Sequence, residues 1–229
     1  MKTNFLFSLS VLCVVTATVT WAADKEFASQ FRVAADEWVS TGGNSYFKLE
    51  PGYTLVLDGT EDGKKAHLTI TVLDETRRID GVETRVVEER QTENGQLVEV
   101  ARNYLAASKK TGNVYYFGED VDTYRDGKLT GHGGSWHAGE NGATFGLMMP
   151  GAPRVGERYY QELAGDVARD RAEIVSVTET LETAAGKFGN CVKTEETTPL
   201  EKGTKEYKLY TSGVGLVQDG DLLLTRFGK

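Results

Sequence analysis

The chain has 229 residues and a net charge of −8 at pH 7, from 26 lysines and arginines against 34 aspartates and glutamates. This length suits one domain. A charged fraction of 26% with 10% aromatic residues is typical of a globular protein and argues against intrinsic disorder, collagen and coiled coil. The acidic balance argues against a nucleic-acid or anionic-membrane partner, because such partners are bound through basic patches.

Residues 1–22 predict a cleavable secretory signal peptide. Lys2 is the only charged residue in this segment, and residues 5–19 form an apolar stretch that is short for a membrane span. Small residues before position 23 place the cleavage after Ala22, with an uncleaved N-terminal anchor as the alternative. The sequence therefore predicts export to the periplasm or the extracellular medium.

Removal of the signal peptide leaves Cys191 as the only cysteine of the mature chain, because Cys13 lies within the predicted leader. An unpaired thiol that is exposed in an oxidising compartment would oxidise or cross-link. We therefore predict that Cys191 is a buried structural thiol.

Residues 23–43 predict an N-terminal helix and a linker. Apolar residues recur at spacings of three and four within residues 26–39, which predicts an amphipathic helix there: Phe27, Phe31, Ala34, Ala35 and Trp38. A glycine-containing stretch after this segment ends the pattern. The aromatic side chains predict that the helix packs against the rest of the protein.

Residues 44–229 predict an antiparallel β domain. Alternating residues such as Leu68, Ile70 and Val72 have the period of a half-buried strand. Seven Asp-Gly or Asn-Gly pairs predict tight hairpin turns between such segments: Asp58-Gly59, Asp62-Gly63, Asp80-Gly81, Asn94-Gly95, Asp126-Gly127, Asn141-Gly142 and Asp219-Gly220. We predict a mainly β fold, a single meander of about ten or eleven strands that forms a curved sheet or a barrel-like sandwich.

One long irregular excursion interrupts the predicted meander at residues 131–156. It is rich in glycine and contains Pro150 and Pro153, so it lacks a strand pattern. Its large apolar residues predict that it is ordered, packs onto the domain and covers one opening of the barrel.

Several short sequence segments resemble those of a group of secreted bacterial all-β proteins that has no established activity. They are spread over nearly all of the mature chain and include residues 44–52, 81–89, 115–121, 134–136, 149–150, 190–194, 198–201 and 207–217. The resemblance implies a single extracytoplasmic β domain. It implies no mechanism.

Two histidines and two methionines of the excursion form a candidate metal site: His132, His137, Met148 and Met149. Imidazole and thioether ligands together suit copper, particularly Cu(I). The ordinary alternative is a pair of solvated loop histidines, and the resembling group usually carries an acidic residue at the position of His137.

An acidic cluster in residues 118–127 offers oxygen ligands spaced as in a calcium loop: Glu119, Asp120, Asp122 and Asp126. However, Tyr124 and Arg125 occupy positions where an EF-hand loop has an oxygen ligand and glycine, so a solvated hairpin tip is the favoured interpretation. No nucleophile elbow or phosphate-binding glycine motif is present in the sequence.

Aromatic residues on many strands predict a ligand site, because adjacent pairs such as Tyr115-Tyr116 must face opposite sides of the sheet. Curved antiparallel sheets commonly hold apolar ligands, and Tyr116, Trp136 and Phe145 are the candidate ligand-binding residues. The alternative is that tyrosine simply favours strands.

Three hypotheses of function follow from the sequence. The first is a non-catalytic binding protein of the bacterial envelope that holds an apolar or amphiphilic small molecule or an envelope component. The second is copper binding by the histidines and methionines of the excursion. The third is an envelope hydrolase whose catalytic carboxylates the sequence does not identify.

Overall fold

A computed structural model describes residues 26–229, so the predicted signal peptide lies outside the described residues. The fold is mainly β, as predicted, and every pairing of strands in this part of the chain is antiparallel. The strands are β1 (Trp38–Val39), β2 (Thr54–Glu61), β3 (Lys64–Ile79), β4 (Val82–Glu93), β5 (Gln96–Ser108), β6 (Val114–Arg125), β7 (Lys128–Gly131), β8 (Trp136–His137), β9 (Thr144–Met149), β10 (Arg158–Tyr160), β11 (Glu162–Leu163), β12 (Arg171–Thr183), β13 (Gly186–Thr197), β14 (Glu206–Thr211), β15 (Gly215–Asp219) and β16 (Leu222–Gly228). This count exceeds the predicted ten or eleven because several strands have only two or three residues.

Most of the strands form one continuous sheet that curls into a nearly closed barrel. Its order is β10-β12-β13-β14-β15-β16-β2-β3-β4-β5-β6-β9-β11. The pairing of β16 with β2 joins the C-terminal strands to the N-terminal ones. The two end strands, β10 and β11, are separated in the chain only by Gln161, so the chain itself crosses from one edge of the sheet to the other. We call this crossing the seam.

The seam requires a glycine on the neighbouring strand. A Cβ atom at Gly146 in β9 would collide with the carbonyl oxygens of Tyr160 and Gln161. The absence of a side chain at this position lets the crossing segment lie directly against the backbone of β9.

The glycine pairs mark turns at six of the seven predicted positions, and five of these turns close hairpins; Asn141-Gly142 turns the chain between β8 and β9, which each pair with β6. Both residues have positive φ at Asp62-Gly63, Asp80-Gly81, Asn94-Gly95, Asp126-Gly127 and Asn141-Gly142, and Gly220 alone does at Asp219-Gly220. The prediction was wrong at Asp58-Gly59, which lies inside β2. A side chain at Gly59 would collide with the backbone of Asp221, so this glycine allows a close approach of the chain.

The predicted helix over residues 26–39 was wrong. The segment forms no α-helix, and its only helical part is a 3-10 turn at Ala35–Glu37. The backbone of Ala28 instead pairs with the free edge of β10, at Arg158 and Tyr160, and Trp38 and Val39 pair with β5. A short isolated helix is marginal in water, whereas pairing with an open sheet edge satisfies the backbone groups on both sides.

The excursion at residues 131–156 is ordered, but it is not irregular throughout. It contains β8 and β9, which lie with β7 along the edge of β6. In the described residues no helix has the length and apolar character needed to cross a membrane.

Candidate functional site

The barrel encloses a partly open cavity of about 330 Å³. Side chains of a strand alternate between its two faces, so Glu99, Ala101, Asn103 and Leu105 of β5 all point into this cavity. Ligand sites in proteins typically have volumes of about 300 Å³ or more, and this cavity reaches that size.

One end of the cavity is apolar. Leu55, Ile70, Val72 and Val87 lie next to one another in the registers of β2, β3 and β4, and all four line the cavity. Leu105 and Leu216 extend the same surface from β5 and β15.

A short turn before β2 lines this apolar end. The Oδ1 atom of Asn44 accepts hydrogen bonds of 2.8 Å from the backbone N–H groups of Tyr46 and Phe47, and its Nδ2 atom donates to the carbonyl of Gly112. This Asx-type turn holds both aromatic residues at the cavity wall. The hydroxyl of Tyr53 donates to the carbonyl of Val214 at 2.7 Å, which ties the β2 side to β15.

The other end of the cavity is acidic. Seven carboxyl groups line the cavity: Glu89, Glu99, Glu119, Glu162, Asp170, Glu196 and Asp219. Lys208 of β14 lies 3.2 Å from Asp219 Oδ1 and 3.5 Å from Glu196 Oε2, so it pairs with two of the seven. Within the described residues, Glu89, Glu99, Glu119 and Glu162 form no ion pair with a lysine or arginine. The acidic end therefore carries more negative than positive charge.

Burial and mutual repulsion shift several of these carboxyl groups toward the neutral form. Burial raises the pKa of Glu89 to about 7, although Lys208 partly opposes the shift. Burial also raises the pKa of Glu119 to about 7. The pKa of Glu162 rises to about 8, first through burial and then through the charges of Asp170 and Glu119. These groups therefore change their ionisation near neutral pH.

Tyr116 lies at the junction of the two ends. Its hydroxyl is 2.5 Å from Asn103 Oδ1 and also shares a hydrogen bond with the carboxyl of Glu119. A phenol has one proton to donate, so both acceptors are satisfied when Glu119 is protonated and donates to the phenolic oxygen. Burial, the largest cause, raises the pKa of Tyr116 well above its ordinary value.

Gln161, the residue at the seam, lines the cavity and carries a buried acceptor atom without a partner in the described residues. It is only 4% exposed, and its Oε1 atom has no hydrogen-bond partner in the described part of the chain. Its Nε2 atom donates to Glu196 Oε1 at 3.1 Å and to Met148 Sδ at 3.7 Å. The carboxylate of Glu196 can only accept, so it fixes which end of the amide is the donor.

The three candidate ligand-binding residues lie in different environments. Tyr116 lines the cavity, and Trp136 contacts the Tyr116 ring edge-on with ring centroids 5.4 Å apart. Trp136 is not itself part of the cavity wall. Phe145 lies on the outer face of the sheet, where it stacks on Phe117 with centroids 5.0 Å apart.

The four candidate copper ligands are not assembled into one site. His132 is exposed and pairs with Asp122 at 2.8 Å, and His137 pairs with Asp120 at 2.9 Å. Met148 lines the cavity, whereas Met149 is fully buried. In residues 26–229, no group of three or more His, Cys, Asp or Glu residues is arranged to hold a metal ion.

The acidic cluster of residues 118–127 is divided between the two faces of β6. Glu119 points into the cavity, while Asp120 accepts hydrogen bonds of 2.6 Å from Tyr104 and Arg77. Burial opposes ionisation of Asp120, but these two bonds outweigh it, so the pKa of Asp120 lies below its usual range. Asp126 lies in a hairpin turn. Strand alternation thus separates carboxylates that are adjacent in sequence.

Sequence reasoning missed most of the cavity wall. Glu89, Glu99 and Gln161 were not candidates, although Glu99 occupies the same face of β5 as the apolar residues Ala101 and Leu105. An acidic residue that shares the apolar face of an alternating strand is the signal that could have identified Glu99. Cys191 forms no disulfide within residues 26–229 and is fully buried, as predicted.

Comparisons of the chain with protein-family models, with curated proteins and with solved structures found no match. The geometry of the cavity is therefore the basis for assigning a function.

Proposed function

We propose that the protein is an exported, non-catalytic binding protein of the bacterial envelope that holds one amphiphilic small molecule inside its barrel. The observation that supports this function is the cavity of about 330 Å³, with an apolar end and an acidic end. A filled barrel would have contradicted the hypothesis. The predicted signal peptide supports a periplasmic or extracellular location.

The energetics of the cavity favour a ligand over empty space. Apolar walls gain stability when a ligand removes them from water, by about 25 cal/mol per Å² of buried apolar surface. Unpaired buried polar groups gain in addition when a ligand supplies their missing hydrogen bonds. The cavity offers both kinds of surface within one enclosure.

A neutral fluorescent probe, N-phenyl-1-naphthylamine, tests this proposal. We expect saturable binding with one probe per chain and an increase in probe fluorescence. Ala101→Trp places a large ring in the cavity and should abolish the binding. Arg102→Trp is the matched control, because Arg102 is the next residue of β5 and lies outside the cavity wall.

Circular dichroism and thermal unfolding establish whether Ala101→Trp folds. If it does not, the smaller change Val87→Phe on β4 provides the same test with less overpacking. Unchanged probe binding in a folded cavity-filling variant would contradict the proposal, as would failure of the wild-type protein to bind the probe.

The converging carboxyl groups also favour a second candidate function, hydrolysis of an envelope glycan. Glycoside hydrolysis needs a protonated carboxyl as acid and an ionised one as base or nucleophile. Glu162, whose pKa is raised to about 8, stays protonated at neutral pH and would act as the acid. Turnover of chromogenic glycosides that is lost in Glu162→Gln would support this candidate, and no turnover by the wild type would exclude those substrates.

A further inference from the structure

The acidic end of the cavity has a surplus of hydrogen-bond acceptors. Gln161 Oε1 is buried and unpaired, and the carboxyl groups of Glu89, Glu99, Glu119 and Glu162 surround the same enclosure. A buried acceptor without a donor costs free energy that a donor would recover. The missing partner is therefore a group that donates.

The protein supplies few cations to this end. Lys208 and Lys48 are the two lysines of the cavity wall, and Lys208 already contacts Glu196 and Asp219. The Lys48 ammonium lies 4.8 Å from the centre of the Tyr53 ring, near the apolar end. The remaining carboxyl groups thus face one another with no cation of the described chain in ion-pair contact.

Resting on the binding function proposed above, we propose that the ligand carries an ammonium group with N–H donors and an apolar tail. The ammonium binds between Gln161 Oε1 and the neighbouring carboxylates, and the tail lies against Leu55, Ile70, Val72 and Val87. A quaternary ammonium would supply the charge but no N–H donor for Gln161. A hydroxyl would supply a donor but no charge.

Binding of such a cation has a consequence for protons. Glu89, Glu119 and Glu162 are partly protonated at neutral pH because their pKa values lie at about 7 to 8. A cation stabilises the ionised form of a carboxyl group, so these groups release protons when the ammonium enters. Affinity for the amine should therefore rise from pH 5.5 to pH 7.5, while affinity for a neutral compound should not.

Displacement of the neutral probe by four octyl compounds tests the head group. The compounds are octylamine, octyltrimethylammonium, octanol and octanoate, which share the tail and differ in charge and donors. We expect octylamine to displace the probe at about tenfold lower concentration than octanol, since a hydrogen bond to a charged group contributes more than one between neutral groups. Octyltrimethylammonium should be intermediate and octanoate the weakest.

Two variants locate the head group. Gln161→Leu should reduce the preference for octylamine over octyltrimethylammonium, because it removes the neutral acceptor and keeps the carboxylates. Glu162→Gln should reduce the preference for octylamine over octanol. The matched controls are Gln96→Leu and Glu182→Gln, which change exposed residues outside the cavity.

The results separate this inference from the proposed function. If the probe binds and octanol displaces it as well as octylamine does, the ammonium assignment is wrong and the binding function stands. The same conclusion follows if the Gln161 and Glu162 variants retain both preferences. If neither the probe nor any octyl compound binds, the binding function itself fails.

Discussion

The two faces of β6 differ in how closely their side chains are packed. Tyr115 and Phe117 point outward into a cluster of rings with Trp38 and Phe145, in which ring centroids are 5.0 to 5.7 Å apart. Tyr116, between them in the chain, points inward to a cavity that the protein leaves unfilled. The outer face therefore has the close packing that stabilises a fold, and the inner face lacks it.

The difference in packing between the two faces indicates that the outer face stabilises the fold and that the inner face binds the ligand. Rings packed edge to face contribute stability beyond the surface that they bury. Buried carboxyl groups with raised pKa values reduce stability when they ionise. An interior that combines a cavity with such groups costs stability, and the outer cluster offsets part of that cost. We expect mutations on the outer face to change folding and mutations on the inner face to change binding.

Phe117→Ala tests the outer face and has the largest expected effect. Phe117 is fully buried and contacts Trp38 and Phe145. The change should lower the free energy of unfolding by about 3–5 kcal/mol, as is typical of a buried phenylalanine, and should leave probe affinity unchanged in the fraction that remains folded. Denaturant unfolding and probe titration measure the two effects.

Phe227→Ala is the control for this change, because Phe227 is 41% exposed and contacts Phe188 at a centroid distance of 6.4 Å. It should cost much less stability. Equal losses in the two variants would show that the outer cluster is not a special source of stability.

Tyr115→Phe and Tyr116→Phe compare the two faces at adjacent positions. Removing the Tyr116 hydroxyl takes a donor from Asn103 and a partner from Glu119, both at the cavity wall. We expect a loss of about 1–2 kcal/mol in unfolding free energy together with altered octylamine binding. The Tyr115 hydroxyl accepts a single hydrogen bond of 3.1 Å from Asn113, so its removal should cost less and leave binding unchanged. Altered binding in Tyr115→Phe alone would reverse the assignment of the faces.

The sequence predicted the strands better than it predicted the cavity, for a physical reason. Alternation shows which residues share a face of a strand, and Asn94-Gly95 and similar pairs show where the chain turns. Neither pattern shows which face becomes the inside of a barrel. Glu99 and Arg102 are both charged residues of β5, yet Glu99 lines the cavity and Arg102 does not.

The prediction of a helix in the N-terminal segment was wrong for a related reason. The spacing of Phe27, Phe31 and Trp38 fits a helix face, but it says nothing about partners elsewhere in the chain. The backbone of Ala28 finds those partners on β10, more than a hundred residues later, where the seam leaves an open edge. Gln161 was missed in the same way, because its position at the seam depends on the meeting of two sheet edges.

Glu162→Gln should change stability only where the wild-type carboxyl ionises, so its effect should be absent at low pH and appear as the pH rises. The pKa of Glu162 is raised from 4.5 to about 8 in the folded protein. Between these values the folded state holds a proton that the unfolded state has released, so the contribution of this group to stability falls as the pH rises toward 8. Glutamine is neutral at every pH and removes this dependence.

Thermal unfolding at pH 5 and pH 8.5 measures this dependence. The variant should have an unfolding temperature close to that of the wild type at pH 5 and a clearly higher one at pH 8.5, where the wild-type carboxyl is forced to ionise in the folded state. Glu182→Gln should show no difference at either pH, because Glu182 is exposed and paired with Lys187. A stabilisation of equal size at both pH values would mean that Glu162 acts through its shape and not through its charge. A pH-dependent gain would confirm that the acidic end lowers stability when it is ionised.

Excess octylamine should then reduce the difference in unfolding temperature between wild type and variant at pH 8.5, because the bound ammonium compensates the charge of the ionised Glu162.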